Sequence, residues 1–338
     1  MTTPFPLLRL PRLVLIPVLQ QMEPIDIIAL SLLSNRARLL TKTAGLSVTS
    51  ISILAKNRIL NIDMVQRDGK NILISLMSQN HTEFVIVFVD YYTPVWRILG
   101  LSTAECIHRI LDVTNCESIQ KLKFCEAVSF DALPIPATLP HIKQIYISRD
   151  CNEVFVHKML EMLSKVTSNI IMWQDRFANL EQFQKVLMLN MYSITINVMN
   201  IRDPTRVRLS LDDLLICNAV HLHLYDVIIS VKTLNRFFKL WMRKKSNPRL
   251  EHFILITSEE VSPDVLLKGL NAIEMPQTTT RTFRASDYPN SRCQEKVVTG
   301  GMDVMRSDGT RATLEIKAMP GISVVEFYAL FFYGTFLK

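Results

Sequence analysis

FPLLRLPRLVLIPVLQQMEPIDIIALSLLSNRARLLTK, residues 5–42, holds an apolar approach ending at Leu10-Pro11, a first apolar-periodic segment, a Met-Glu-Pro break and a second segment closing in a basic turn. Within 12–22, Leu15, Val18, Leu19 and Met22 recur at i, i+3, i+4 and i+7, one face of a helix. Pro24 stands where a second helix begins, since proline is tolerated in a first turn. Over 25–33, Ile25, Ile28, Ala29 and Leu32 face one way, and Ile27, Leu30 and Leu33 extend the apolar coverage nearly all round. Such a helix must be buried on both sides, and an external partner is the natural solution. Ser34 is placed to cap a third segment, Asn35–Lys42, whose last turn carries Arg38 and Lys42 where cations suit the helix dipole. Pro17 departs from this pattern. An interior proline costs about 3 kcal/mol, so the first helix either starts late, near Ile16, or is kinked.

The spacing suits a small helical docking module and neither a membrane span nor an active site. Leu13–Leu19 is apolar behind Arg9 and Arg12, as in a signal peptide, but Gln20, Gln21 and Glu23 follow at once without a small-residue cleavage site. No stretch reaches the ~18–20 apolar residues of a membrane helix. At 338 residues, 49% hydrophobic and 20% charged, the chain can bury a sizeable core in one large or two unequal domains. The net charge of +7 is spread along the chain without a block of interleaved aromatics, so no nucleic-acid partner is expected. The six cysteines fall at irregular intervals without a CxxC pair, which suits reduced thiols in the cytoplasm or nucleus. The expectation is a soluble intracellular protein without a membrane partner.

Residues 46–92 alternate in short apolar bursts, Val48–Leu54, Ile59–Val65, Ile72–Leu76 and Phe84–Val89, with Arg67-Asp68-Gly69-Lys70 as a hairpin signal between two of them. They predict an antiparallel meander of about four strands. From residue 119 an apolar-x-x-apolar-x-apolar template repeats: Ile119/Leu122/Phe124, Ile142/Ile145/Ile147, Thr167/Ile170/Met172, Met191/Ile194/Ile196, Ala219/Leu222/Leu224 and Leu250/Phe253/Leu255. Helical patterns fill most gaps, at 154–165, 180–189, 211–217, 231–243 and 263–270. Units of this length sharing one apolar core resemble a degenerate leucine-rich-repeat-like solenoid, with a conventional α/β sandwich as the alternative. The fold class expected is α+β or α/β: a helical N-terminus, a β-rich connector, then strand–helix units with a C-terminal hairpin. Residues 276–295, polar and rich in Thr, Pro, Ser and Arg, read as a loop or insert. Val324–Tyr333 reads as a cover for the open end of the last unit.

The opening segment resembles an F-box, on Phe5, Leu8, Leu10-Pro11, Val14-Leu15, Val18-Leu19, Met22, Pro24, Ile28, Leu30-Ser31, Leu33-Ser34 and Arg36 in order. The resemblance implies docking onto the small adaptor subunit of a cullin–RING ubiquitin ligase through Leu8, Leu10, Pro11, Leu15, Val18, Leu19, Pro24, Ile28, Leu30 and Leu33. Further on, Leu211-Asp212-Asp213-Leu214-Leu215, the 220–227 strand, Thr233–Trp241 and Leu250–Ile256 are similar to the F-box-associated domain of a large expanded family. Gly301–Arg306 and Asp308–Thr313 are similar to that family's closing hairpin. That domain is taken to capture substrates. The implied organisation is an F-box module over 1–45, a connector over 46–118 and a substrate-binding region over 119–338. The implied function is the non-catalytic substrate receptor of an SCF-type ligase, with an interaction scaffold outside ubiquitin chemistry as the alternative.

If Leu222 and Leu224 point inward, the same registry turns His221, His223 and Tyr225 outward with Gln144, Tyr146, Thr195 and His252, and these are the expected substrate contacts. His221 and His223 share one strand face, but sequence spacing supplies no third ligand, so no metal or other cofactor is expected. Asp212-Asp213 follow Ser210 in a helix first turn, where negative charge is stabilising, which accounts for them without acid–base chemistry. GxSxG, GxxxxGK, HExxH and GxGxxG are all missing from the sequence.

Overall fold

Ser34 accepts a hydrogen bond from the Ala37 amide at 3.1 Å, and this cap starts the third of three short N-terminal helices. The computed structural model describes residues 7–57, 59–79, 82–88, 100–126, 141–148, 150–173, 180–197, 208–287 and 292–330. The chain divides into two compact units, Met1–Thr167 and Ser168–Lys338. Phe5, Trp96 and residues 331–333 of the expected C-terminal cover lie outside the described residues. No described helix is long and apolar enough to cross a membrane.

In the first unit a 3-10 turn at Leu7–Arg9 precedes α1 (Arg12–Gln21), α2 (Pro24–Leu33) and α3 (Asn35–Lys42). Helix α1 runs through Pro17, so the late start near Ile16 does not occur. The carbonyl that loses its partner to Pro17 belongs to Leu13, which is 89% exposed and leaves that group to solvent. A meander follows: β1 (Val48–Lys56), β2 (Ile59–Gln66), β3 (Asn71–Gln79) and β4 (Thr82–Phe88), all paired antiparallel. The β2–β3 turn is Arg67-Asp68-Gly69-Lys70; Gly69 sits at φ +85°, a conformation glycine adopts without steric cost.

Helix α4 (Thr103–Thr114) was not anticipated, although its signals are ordinary. Ser102 caps it by accepting from Glu105 N at 3.1 Å, and Cys106, Ile107, Ile110 and Val113 are buried along one stripe. It packs against α2 and α3. Much of the apolar surface of α2 that called for an outside partner is therefore covered from within the chain. Then come β5 (Ser118–Ile119), β6 (Lys121–Phe124), β7 (His141–Ile142), β8 (Ile145–Ile147) and α5 (Glu153–Leu163). The main sheet of this unit has the order β4-β3-β2-β1-β6-β8, with β6 parallel to both its neighbours.

The second unit alternates strand and helix: β9 (Asn169–Trp173), α6 (Leu180–Leu187), β10 (Ser193–Asn197), α7 (Leu211–Ile216), β11 (His221–Tyr225), α8 (Val231–Met242) and β12 (His252–Thr257). These strands are parallel neighbours, and template residues meet in register: Ile170 beside Ile194, Ile194 beside Leu222, Leu222 beside Phe253. Every template position named above is buried, the least so being Thr167 at 7% exposure. Ser210 and Asp213 form a reciprocal capping box on α7, which gives Asp213 its structural role.

Beyond α9 (Pro263–Leu267) lie β13 (Ile273–Glu274), β14 (Thr280–Asp287), β15 (Arg292–Thr299), β16 (Met302–Met305), β17 (Arg311–Met319) and β18 (Ile322–Ala329). The sheet order of this unit is β9-β10-β11-β12-β18-β17-β16-β13, with β18 antiparallel along β12. Alternation along β12 and β18 sends Phe253 and Phe327 to the helical face, where Phe238 lies 5.8 and 5.2 Å from their rings and Trp241 lies 4.8 Å from Phe327. Burying each such aromatic stabilises by roughly 1.5–3 kcal/mol. His252 and Tyr328 point to the opposite face.

That opposite face is also covered. The segment expected to be a loop, 276–295, instead supplies the paired strands β14 and β15. Phe283 and Ala285 of β14 and Val298, further along β15, form a buried cluster with Tyr328, the Phe283 and Tyr328 rings stacked at 5.2 Å. The signal was present: from Thr282 to Ala285 exposed and buried residues alternate with period two, beneath a composition that reads as polar.

Gly301 turns the chain into β16 at φ +84°. A Cβ there would stand 2.8 Å from Thr313 Cγ2 and 3.1 Å from the Leu314 carbonyl, so no larger residue fits.

Candidate functional site

The N-terminal helices separate their apolar residues into two sets. Leu15, Leu19 and Leu40 form a buried core, with Leu8, Leu10, Met22 and Leu30 partly buried against it, and Ile28 is fully buried. Of the residues expected to meet an adaptor, Leu15, Leu19 and Ile28 therefore hold the module itself together. Leu33 at 69%, Val18 at 37% and Pro11 are exposed, while Leu8, Leu10, Pro24 and Leu30 are half-buried. The sequence reading missed Leu13 and Leu39, at 89% and 61% among the most exposed large apolar residues described. Leu8, Leu10, Arg12, Asn35, Arg36 and Leu39 line a groove of about 380 Å³ on the same module. Arg36 donates to the Leu8 carbonyl at 3.1 Å and fixes the approach segment to α3.

The expected substrate face is only partly a surface. Gln144, Thr195, His221, His223, Tyr225 and His252 are all buried, between 0 and 7% exposed, so the open concave registry does not hold for them. Aromatic rings pack over two of them. Tyr328 stacks on His252 at 5.1 Å beneath the β14–β15 strands, and Tyr192 lies 4.7 Å from His221. Tyr146 alone of the seven is half-exposed. Lys121 and Lys123 stand over its ring at 5.2 and 4.8 Å; burial and the charge of Lys123 hold the Lys121 ammonium below its usual range.

In the second unit, Pro263, Leu267, Met275, Met302 and Ile316 line an open groove of about 550 Å³ together with Glu274, Glu315 and Lys317. Such mixed apolar and charged lining suits a peptide segment.

The buried residues form a constellation that the sequence spacing did not disclose. His221 and His223 project from one face of β11, and His252 projects beside them from β12, where it pairs with His221 in the ladder. One ring nitrogen of each lies within 4.8 Å of the others. His223 Nδ1 is 3.3 Å from Thr195 Oγ1, and its Nε2 is 3.2 Å from His252 Nδ1. Neither nitrogen of His221 has a hydrogen-bond partner among the described residues, nor has His252 Nε2. The Glu251 carboxylate is 3.9 Å from His221 Nε2. Burial, reinforced by the neighbouring imidazole, pushes His223 down to about 3 and His252 well below its usual value, so both are neutral near pH 7. Leaving a buried polar nitrogen without a partner costs about 1–3 kcal/mol.

Burial pushes the Cys151 thiol up to about 12 and that of Cys217 up to about 11, leaving both protonated at neutral pH.

Comparison with known families finds two matches. Residues 7–47 match the F-box domain, and residues 182–255 match the family described as F-box associated. No curated protein and no solved structure matches the chain. The first match covers α1 to α3; the second runs from within α6 to within β12 and includes His221, His223 and His252. The chain carries an F-box domain over 7–47 and, further along, an F-box-associated domain over 182–255.

Proposed function

We propose that this chain is the substrate-recognition subunit of an SCF-type cullin–RING ubiquitin ligase, acting in the cytoplasm or nucleus. The F-box helices bind the small adaptor subunit, and the region over 119–338 holds a target protein. The connector over 46–118 joins them. The receptor is non-catalytic: it raises the effective concentration of a target lysine near the conjugating enzyme.

The observation that carries this reading is the exposed apolar set Leu13, Val14, Val18, Leu33 and Leu39 on an F-box module whose own core is already closed by Leu15, Leu19 and Leu40. Exposed apolar residues gathered on one small module mark a protein interface. For the target, the open surfaces are the Tyr146 patch with its two lysines and the groove at Met275 and Ile316.

Co-expression with the adaptor tests the reading. The native chain is expected to capture the adaptor, and the double substitution Leu13→Asp with Val18→Asp is expected to abolish capture while the protein stays folded. A folded native chain that captures no adaptor overturns it.

A further inference from the structure

We propose that His221, His223 and His252 form a buried binding site for a divalent cation of the zinc type. It lies inside the F-box-associated region and is separate from adaptor docking.

Three features support the assignment. Two nitrogens held by one zinc at about 2.0–2.1 Å stand about 3.3 Å apart at the tetrahedral angle; His223 Nε2 and His252 Nδ1 are 3.2 Å apart. The third imidazole, His221, brings a nitrogen within 4.8 Å of the other two, and its ring nitrogens have no hydrogen-bond partner among the described residues although it is fully buried. Closing that triangle asks for a small side-chain movement of the His221 ring. Imidazole donors favour zinc, copper or nickel over magnesium or calcium.

The surroundings match what such a site requires. When Thr195 Oγ1 accepts the Nδ1 proton of His223, the Nε2 lone pair is turned toward His252. His252 then moves its single proton to Nε2, freeing Nδ1 as a ligand with no net proton released. The buried Glu251 carboxylate, 3.9 Å from His221 Nε2, supplies negative charge beside the three imidazoles. Lys296, whose charge reaches His252, is bound to Glu326 at 2.8 Å.

The sheet explains why these residues meet. Alternation puts His221 and His223 on one face of β11, and the parallel ladder places His252 directly beside His221. The cation would link two adjacent strands under the β14–β15 cover, a structural role.

The full chain, purified and stripped with a chelator, is titrated with zinc and, in parallel, with cobalt(II). The expected result is one ion per chain and the strong visible absorption of tetrahedral cobalt without a thiolate charge-transfer band. His223→Gln and His252→Gln should each abolish the band, and Thr195→Val should weaken affinity by about 10–100-fold. The native protein carries the decision if a variant fails to fold. A folded native chain that takes up neither ion, a thiolate band, or unchanged binding in folded histidine variants overturns the site.

Discussion

Arg109 of α4 donates to the carbonyl of Leu32 at 3.1 Å, so a side chain from outside the F-box match closes the last turn of α2. The last carbonyls of a helix have no partner within it, and here the cap is a guanidinium only 4% exposed, itself held by Glu105 at 2.6 Å. Arg109→Met keeps the stem but removes the donor. It should destabilise the first unit by about 1–3 kcal/mol, read as a lower midpoint in urea with an unchanged slope. The same contact predicts that a fragment starting at residue 46 is poorly soluble, since it bares the buried stripe of α4. An Arg109→Met midpoint equal to that of the native chain would remove this clamp.

The two apolar sets of the F-box should respond oppositely to a charge. Leu19 is fully buried and Leu13 is 89% exposed, six residues apart on α1. Leu19→Asp buries an unpaired carboxylate in the module core and should unfold it, with loss of adaptor capture as a consequence. Leu13→Asp should leave stability within about 0.5 kcal/mol while weakening capture. Thermal unfolding run beside the pull-down separates the two, and equal destabilisation by both would mean that the exposed set belongs to the core.

What could be read in advance follows from how local each signal is. The Ser34 cap, the Arg67–Lys70 turn and the template residues from Ile119 to Leu255 are set by neighbours a few positions away, and all were legible. The position of Pro17 inside α1 was not, because its cost is settled by solvent at the Leu13 carbonyl and not by periodicity. The β14–β15 strands were hidden by composition: arginines and threonines on the exposed side masked Phe283 and Ala285. That single misreading also left the histidine face looking open. The meeting of His252 with His223 depends on which strands are neighbours, and spacing along the chain carries no record of that.

Arg306 ties the closing hairpin to the loop between α8 and β12 by donating to Pro248 O at 2.9 Å, and braces its own turn through Asp308 at 3.0 Å and Thr310 at 3.1 Å. Its guanidinium also lies 5.0 Å over the ring of the fully buried Trp241. Lysine keeps the charge but not the planar fork, so Arg306→Lys should cost about 1–3 kcal/mol. Near-ultraviolet circular dichroism of the tryptophans should change with it. A lysine variant with native stability would reduce this junction to a point charge.

Glu326 makes stability depend on pH in the acid range. Burial alone would raise its carboxyl, but the hydrogen bond and charge of Lys296, with Lys317 at 3.5 Å, outweigh it and hold Glu326 below its usual 4.5. A lowered folded-state value means that unfolding takes up a proton. The stabilisation is therefore complete above the unfolded value and disappears as pH falls through the folded one. Glu326→Gln should cost on the order of 1–3 kcal/mol at pH 7, the range for hydrogen bonds to charged groups. The difference between variant and native chain should shrink steadily below about pH 4.5. Urea unfolding at pH 7, 5 and 4 reads this directly. A gap that stays constant across those three values would show that Glu326 acts through shape and not through its charge.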